Sequence, residues 1–429
     1  MTDNPFGFNV PSEGGDDPQR PGGAGDPMSN PTGGPTGGAP YGLPEDIAGK
    51  IPLFAELQKL MSWQGGPVNW DLARQTAISS IAGSVRDFRS EERSGIIEAL
   101  RLADMWLDPA TELPSGVTAT EAWSRVEWVE KTLPVWSTLC DPVAARVVGA
   151  MSSSLPPEAQ AQAGPLMGMM SSMGGMMFGA QVGQALAQLA GEVLSSTDVG
   201  LPLGPAGTAV LLPENVTEFG SGLELPAEEV RLFLALRESA HHRLFSHVPW
   251  LKQRLLSAID TYARGITVDT GKIEEAMTQI DPGNPESMQE ALSSGMFEPE
   301  ESPEQQVALR RLETLLALIE GWVDAVVAQA ATDRLPGADA LRETLRRRRA
   351  TGGPAEQTFA TLVGLELRPR RLRDAATLWQ ALTTHRGVAG RDAVWAHPDL
   401  LPTTDDLDDP EKFAASGDDG PISIEDFED

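Results

Sequence analysis

Residues 232–250 read LFLALRESAHHRLFSHVPW, and the reading of this stretch decides how the rest of the chain is understood. At 100° per residue, Val230, Phe233, Leu234, Leu244, Phe245 and Val248 fall on one stripe of a helix. Arg237 and His241 point into the middle of that stripe, and Glu238 sits at its edge. Ionisable groups on a face that buries against a core are costly unless they pair, coordinate a metal or line a cleft, so this helix carries the candidate functional residues. Three of the chain's five histidines, His241, His242 and His247, lie in it. Pro226, followed by Glu228 and Glu229, marks its start.

The same three- and four-residue spacing of apolar side chains recurs over residues 44–62, 69–87, 90–107, 119–151, 250–265, 302–332, 338–350 and 369–383. The fold class expected is therefore mainly α, a helical body with little β-structure. Ser90 with Glu91 and Glu92, and Ser302-Pro303-Glu304, supply further helix starts. The best strand candidate is TAVLLP at 208–213, set between glycine-rich turns. Residues 159–191 carry no charged side chain, but Gln162, Gln181, Gln184 and Gln188 interrupt the apolar run and no Lys or Arg anchors flank it, which argues against a membrane span. Gly175, Gly179 and Gly183, four residues apart, instead make a smooth helix face that another helix can approach closely.

The chain has 429 residues, with 62 acidic against 33 basic side chains and a net charge of -29, which repels nucleic-acid phosphates and anionic lipid surfaces. Residues 1–42 are a Gly/Pro-rich leader expected to be disordered, and residues 402–429 an acidic tail expected to stay extended; both ends suit protein partners. The body is placed at 43–401, with a sub-boundary near residue 200. The lone cysteine, Cys140, reads as a small buried residue. With no secretory signal at the start of the sequence, the cytoplasm is the expected compartment. Nine arginines between Arg342 and Arg373 are expected to be neutralised within the molecule, by the acidic tail and neighbouring helices. No phosphate loop, dinucleotide fingerprint, Cys-rich zinc pattern or nucleophile elbow is found.

Five segments, FLALRESAHHRLFSHVPWL, IDPGNPESMQEALSSGMF, LETLLALIEGWVDAVV, GGPAEQTFATLVGLELRPRRLRDAATLW and WAHPDLLPTTDDLDDP, resemble in that order an actinobacterial zincin-like family. The resemblance covers about residues 43–410. Members are described as hydrolases or zinc-dependent metalloproteases, and some relatives are linked with deazaflavin-cofactor biosynthesis. It implies a zincin-like helical body and a zinc cofactor. In the HExxH motif of zinc peptidases, two histidines four apart bind the metal from one helix face, and the intervening Glu activates its water. The corresponding residues are Arg237-Glu238-Ser239-Ala240-His241. Glu238 takes the general-base position and His241 the second-ligand position, while Arg237 puts a permanent cation in place of the first ligand. His242 projects about 100° away from His241, and His247 lies farther off.

Similar zincins take a third ligand from a downstream helix. Here Glu313, Glu320 and Asp324 flank the stripe of Leu312, Leu316, Ile319, Val323 and Val327, and Glu320 is the choice. The same acids can instead form a solvated flank, or one of them can neutralise Arg237. Two functions follow. One is a zinc-dependent metallohydrolase in which Glu238 polarises water on a metal held by His241 and Glu320. The other is a catalytically inactive zincin-like binding or scaffolding protein whose cleft takes a peptide or small carboxylate.

Overall fold

The computed structural model describes residues 66–83, 86–153, 164–264, 302–350 and 371–416. The chain divides into two units, Met1–Ala55 and Glu56–Asp429, and every described residue lies in the second. The leader at 1–42, the helix expected at 44–62 and residues 417–429 lie outside the described residues.

The architecture is mainly α. In chain order the helices are α1 (Trp70–Ile81), α2 (Ser90–Leu107), α3 (Arg125–Ser153), α4 (Gly164–Glu192), α5 (Pro213–Gly220), α6 (Ala227–His247), α7 (Pro249–Arg264), α8 (Pro303–Ala331), α9 (Ala338–Ala350), α10 (Leu372–Ala393) and α11 (Pro410–Ala415). Two short strands, β1 (Ala119–Ala122) and β2 (Thr208–Leu211), pair in parallel with Ala119 opposite Thr208. The start signals do as their chemistry dictates. Ser302 Oγ accepts from Gln305 N while Gln305 Oε1 accepts from Ser302 N, a reciprocal cap over the first turn of α8. At α2 the Glu92 carboxylate accepts from Arg89 N.

The glycine face of α4 packs on α1. A Cβ at Gly179 would lie 2.5 Å from the Asn69 carbonyl and one at Gly183 2.5 Å from the Ala73 carbonyl, so neither position has room for a side chain. Asn69 caps α1 through its Oδ1 and donates its own N–H to the Gly175 carbonyl. Helix α8 is, among the described residues, long and apolar enough to cross a membrane, but 83% of that apolar window is buried inside the protein. It is the central core helix. Trp322 on α8, Trp379 on α10, and Trp395 pack together beside it, with Trp379 and Trp395 stacked at 5.3 Å.

Three expectations need correction, and one helix went unread. Residues 119–122 form β1 rather than the start of a helix, because this stretch pairs with β2 and local helical spacing yields to that pairing. Residues 213–220, between the strand candidate and α6, form the short helix α5, started by Pro213. Helix α10 runs past residue 383 to Ala393 through a kink at Gly387, whose φ of 68° only glycine adopts easily. Residues 402–416, expected to extend freely, fold back on the body. Leu407 and Ala414 are buried, Arg386 donates to the Phe413 and Ala414 carbonyls, and Arg371 pairs with Asp408. The apolar Leu407 and Phe413 and the arginines of α10 outweigh the mutual repulsion of the acids there.

Candidate functional site

Helix α6 runs through the interior, and all of Phe233–Leu244 is buried. The stripe read from the sequence is therefore only part of its buried surface. Arg237 and His241 are buried as that stripe required, at 8% and 2% exposure. Glu238, read at the edge, is in fact 1% exposed, because β2 and the segment 195–197 cover the flank that the helical projection left open.

Two separate polar clusters result. In the first, Arg237 Nη2 donates to Glu320 Oε2 at 2.5 Å, Arg349 on α9 pairs with the same oxygen, and His241 Nε2 lies 3.1 Å from Glu320 Oε1. His241 Nδ1 lies 2.9 Å from the Arg237 carbonyl. Both ring nitrogens are thus turned toward oxygen atoms of the protein. Burial alone would raise the Glu320 carboxyl, but Arg349, His241 and Arg237 outweigh it and hold the acid ionised, well below the usual carboxylate range. Burial pushes the Arg237 guanidinium down against the pull of Glu320, and a guanidinium remains a cation in that setting. Gly200, at φ +76°, brings its backbone so close that a Cβ would meet Glu320 Oε1 at 3.2 Å.

In the second cluster Glu238 accepts four hydrogen bonds: from Ser196 Oγ and Thr197 Oγ1, each at 2.5 Å, from Val210 N at 3.0 Å, and from His242 Nε2 at 3.2 Å. Burial again opposes ionisation, but the hydrogen bond and charge of His242, with the two hydroxyls, lower the carboxyl to about 2. Glu238 thereby ties α6 to β2 and to the segment that follows α4.

The residues singled out from the sequence thus part company. Arg237, His241 and Glu320 meet at one point, Glu238 and His242 meet at another, and His247 is exposed and reaches only the Ser115 carbonyl. Asp324 pairs with Arg346 rather than with the cluster. The Arg237–Glu320 contact is the neutralising pair that stood as the alternative to metal ligation. Sequence reasoning missed Arg349, whose signal was a four-arginine run ending a helix in an acidic chain. It also missed Ser196 and Thr197, short hydroxyls with no pattern of their own. The arginine run does meet carboxylates inside the molecule, namely Asp324, Glu320, Asp198 and Glu343. Cys140 is buried, and burial, with Asp141 beside it, raises its thiol to about 12, so it is inert.

The residues from 68 to 414 match the family model described as zincin-like metallopeptidase. This chain belongs to the zincin-like metallopeptidase family. A crystal structure from Chloroflexus aurantiacus, described as a "putative hydrolase with a novel fold", aligns with this zincin-like chain at a TM-score of 0.57 and 21% identity, covering 82% of this chain and 100% of that one. At that identity the likeness is one of fold. No curated protein matches. The family name suggests zinc, and the donor set can be tested against it. A zinc site needs at least three N, O or S ligands converging on one point, and among the described residues no group of three or more His, Cys, Asp or Glu does so. The first-ligand position holds Arg237, and Glu320 is already bound by two guanidinium groups. These residues do not fit a zinc ion.

Proposed function

We propose that this zincin-like protein binds a ligand rather than hydrolysing one through zinc, its HExxH motif being degenerate at Arg237. The observation that carries this reading is the double clamp on Glu320 by Arg237 and Arg349. A ligand carboxylate has to be free to face a metal, and a ligand imidazole has to turn a ring nitrogen toward it rather than toward a protein oxygen. Neither condition suits Glu320 or His241 in their present contacts. Glu238, which accepts from four donors, fits a fastening role better than that of a base poised over water. The ligand class that matches this reading is a peptide or small carboxylate.

The zinc-dependent hydrolase reading, with Glu238 as base and His241 and Glu320 as ligands, has one observation in its favour beyond family membership. An imidazole nitrogen and a carboxylate oxygen, both metal-ligating types, meet at 3.1 Å. For that reading to operate, both guanidinium groups must leave Glu320.

Elemental analysis of the full chain purified without a metal-binding tag tests the proposal. Zinc far below one per chain, unchanged by His241→Ala, is the expected result. One zinc per chain, lost on His241→Ala, overturns the proposal in favour of the hydrolase reading.

A further inference from the structure

Helices α7 and α8, with residues 398–404 as a third wall, border an open groove of about 1300 Å³, larger than the roughly 300–1,000 Å³ of pockets that take small ligands. Trp250, Leu315, Leu318 and Leu401 give it an apolar lining, and its charges are balanced, Arg254 and Arg311 against Glu304 and Asp399. Two copies of a chain with net charge -29 repel each other at long range, and a face whose own charges cancel is where they can meet.

The order of the charges along α8 carries the argument further. Glu304, Val307, Ala308 and Arg311 follow the i, i+3, i+4, i+7 spacing that puts four residues on one face of a helix, and all four line the groove. Val307 is a large apolar side chain left 39% exposed. Glu304 and Arg311 stand about 10 Å apart along the helix axis, too far to pair with each other, and neither has a hydrogen-bond or ion-pair partner among the described residues. When a second α8 is turned antiparallel about a two-fold axis between Val307 and Ala308, this face becomes its own complement. Glu304 then stands opposite the partner's Arg311, and Arg311 opposite the partner's Glu304, while Val307 and Ala308 pack at the centre.

We propose that this face binds a second copy of the chain, in an isologous dimer with α8 antiparallel to its counterpart. A wholly acidic or wholly basic partner would set like charges beside two of the four ionic groups that line the groove, whereas a second copy brings both signs in the matching order. The inference is independent of whether the chain binds metal.

Sedimentation velocity on the full chain tests this. The parent should form a dimer. Arg311→Glu sets two glutamates together at each end of the helix pair and Glu304→Arg two arginines, so each single variant should weaken the dimer about tenfold or more. Both positions are exposed, and circular dichroism should show both variants folded. Mixed in equal amounts, the two variants should recover the parent's affinity as a heterodimer, because one copy then carries arginine at both positions and the other glutamate. A folding defect cannot mimic that recovery. A parent that stays monomeric at about 100 μM overturns the proposal, as it would if the groove stood empty or were covered within one chain. So does a dimer indifferent to both single substitutions, or a mixture of the two variants that associates no better than either alone.

Discussion

Glu238 and Glu320 are two buried carboxylates that sequence spacing treats as partners in one site, yet the fold gives them opposite surroundings. Glu238 is ringed by two hydroxyls, a backbone N–H and His242. Glu320 is gripped by Arg237, Arg349 and His241. Both are held ionised against burial, but by different means: Glu238 by the hydrogen bond and charge of His242 and then by two hydroxyls, Glu320 mostly by the charges of Arg349, His241 and Arg237. The difference teaches that a Glu in the general-base position of a motif is a base only if its lone pairs are left free. Here three of the four donors to Glu238 come from β2 and from the segment after α4, so the carboxylate is engaged in joining α6 to them.

The comparison is broken most readily by removing the clamped acid. Glu320→Ala leaves Arg237 and His241 buried around an absent counter-charge, while the part-buried Arg349 keeps Asp198, and we expect a loss of about 3–5 kcal/mol in chemical denaturation. A loss below about 1 kcal/mol would mean that the cations find other partners and that Glu320 is not what holds them.

Acid sharpens the contrast next. The folded-state value of Glu238, about 2, lies below the ordinary 4.5. Its contribution is therefore fully present above pH 4.5 and is lost as the pH falls toward 2. The stability gap between the parent and Glu238→Gln should shrink over that window by on the order of 3 kcal/mol, since the group is fully buried. A gap that stays constant from pH 6 to pH 3 would remove the claim that Glu238 is held as the anion.

The smallest effect expected is that of one donor. Ser196→Ala withdraws one of four hydrogen bonds to Glu238 and should cost about 1 kcal/mol, because the other three remain. Arg349→Met, by contrast, should alter the surroundings of Glu320 and leave the Glu238 cluster untouched, which the chemical shifts of His242 and His241 distinguish.

Much of this arrangement was legible in the chain. Period-3.6 patterning located α2, α6, α7, α8 and α9 nearly to the residue, and the four-residue glycine spacing in 175–183 identified the face that α1 packs against. The short apolar run at 208–213, set between glycine-rich turns, located β2. What patterning could not supply was its partner, since β1, with Thr120 and Glu121 only half buried, carries no apolar alternation and exists because β2 pairs with it. The burial of Arg237 and His241 followed from the stripe, and the Arg237–Glu320 pair from two helices each carrying an ion of opposite sign beside an apolar face. Arg349 was beyond that reasoning because Glu320 and Asp198 lie far from it in sequence and are brought to it by the docking of α9. The inward turn of Glu238 was hidden for a similar reason: a helical projection gives direction, but not what stands there.

The central claim is that Arg237 and Arg349 occupy Glu320 where a zincin would present a metal site, and zinc titration of three folded proteins tests it most directly. The parent should bind no zinc in calorimetry. Arg237→His, which places two imidazoles four apart on one helix face beside Glu320, should gain measurable affinity, and the double variant Arg237→His with Arg349→Met should bind more tightly again, since the second guanidinium is gone from the acid. Stoichiometric binding by the parent, or no gain in either variant while circular dichroism shows both folded, would contradict the account.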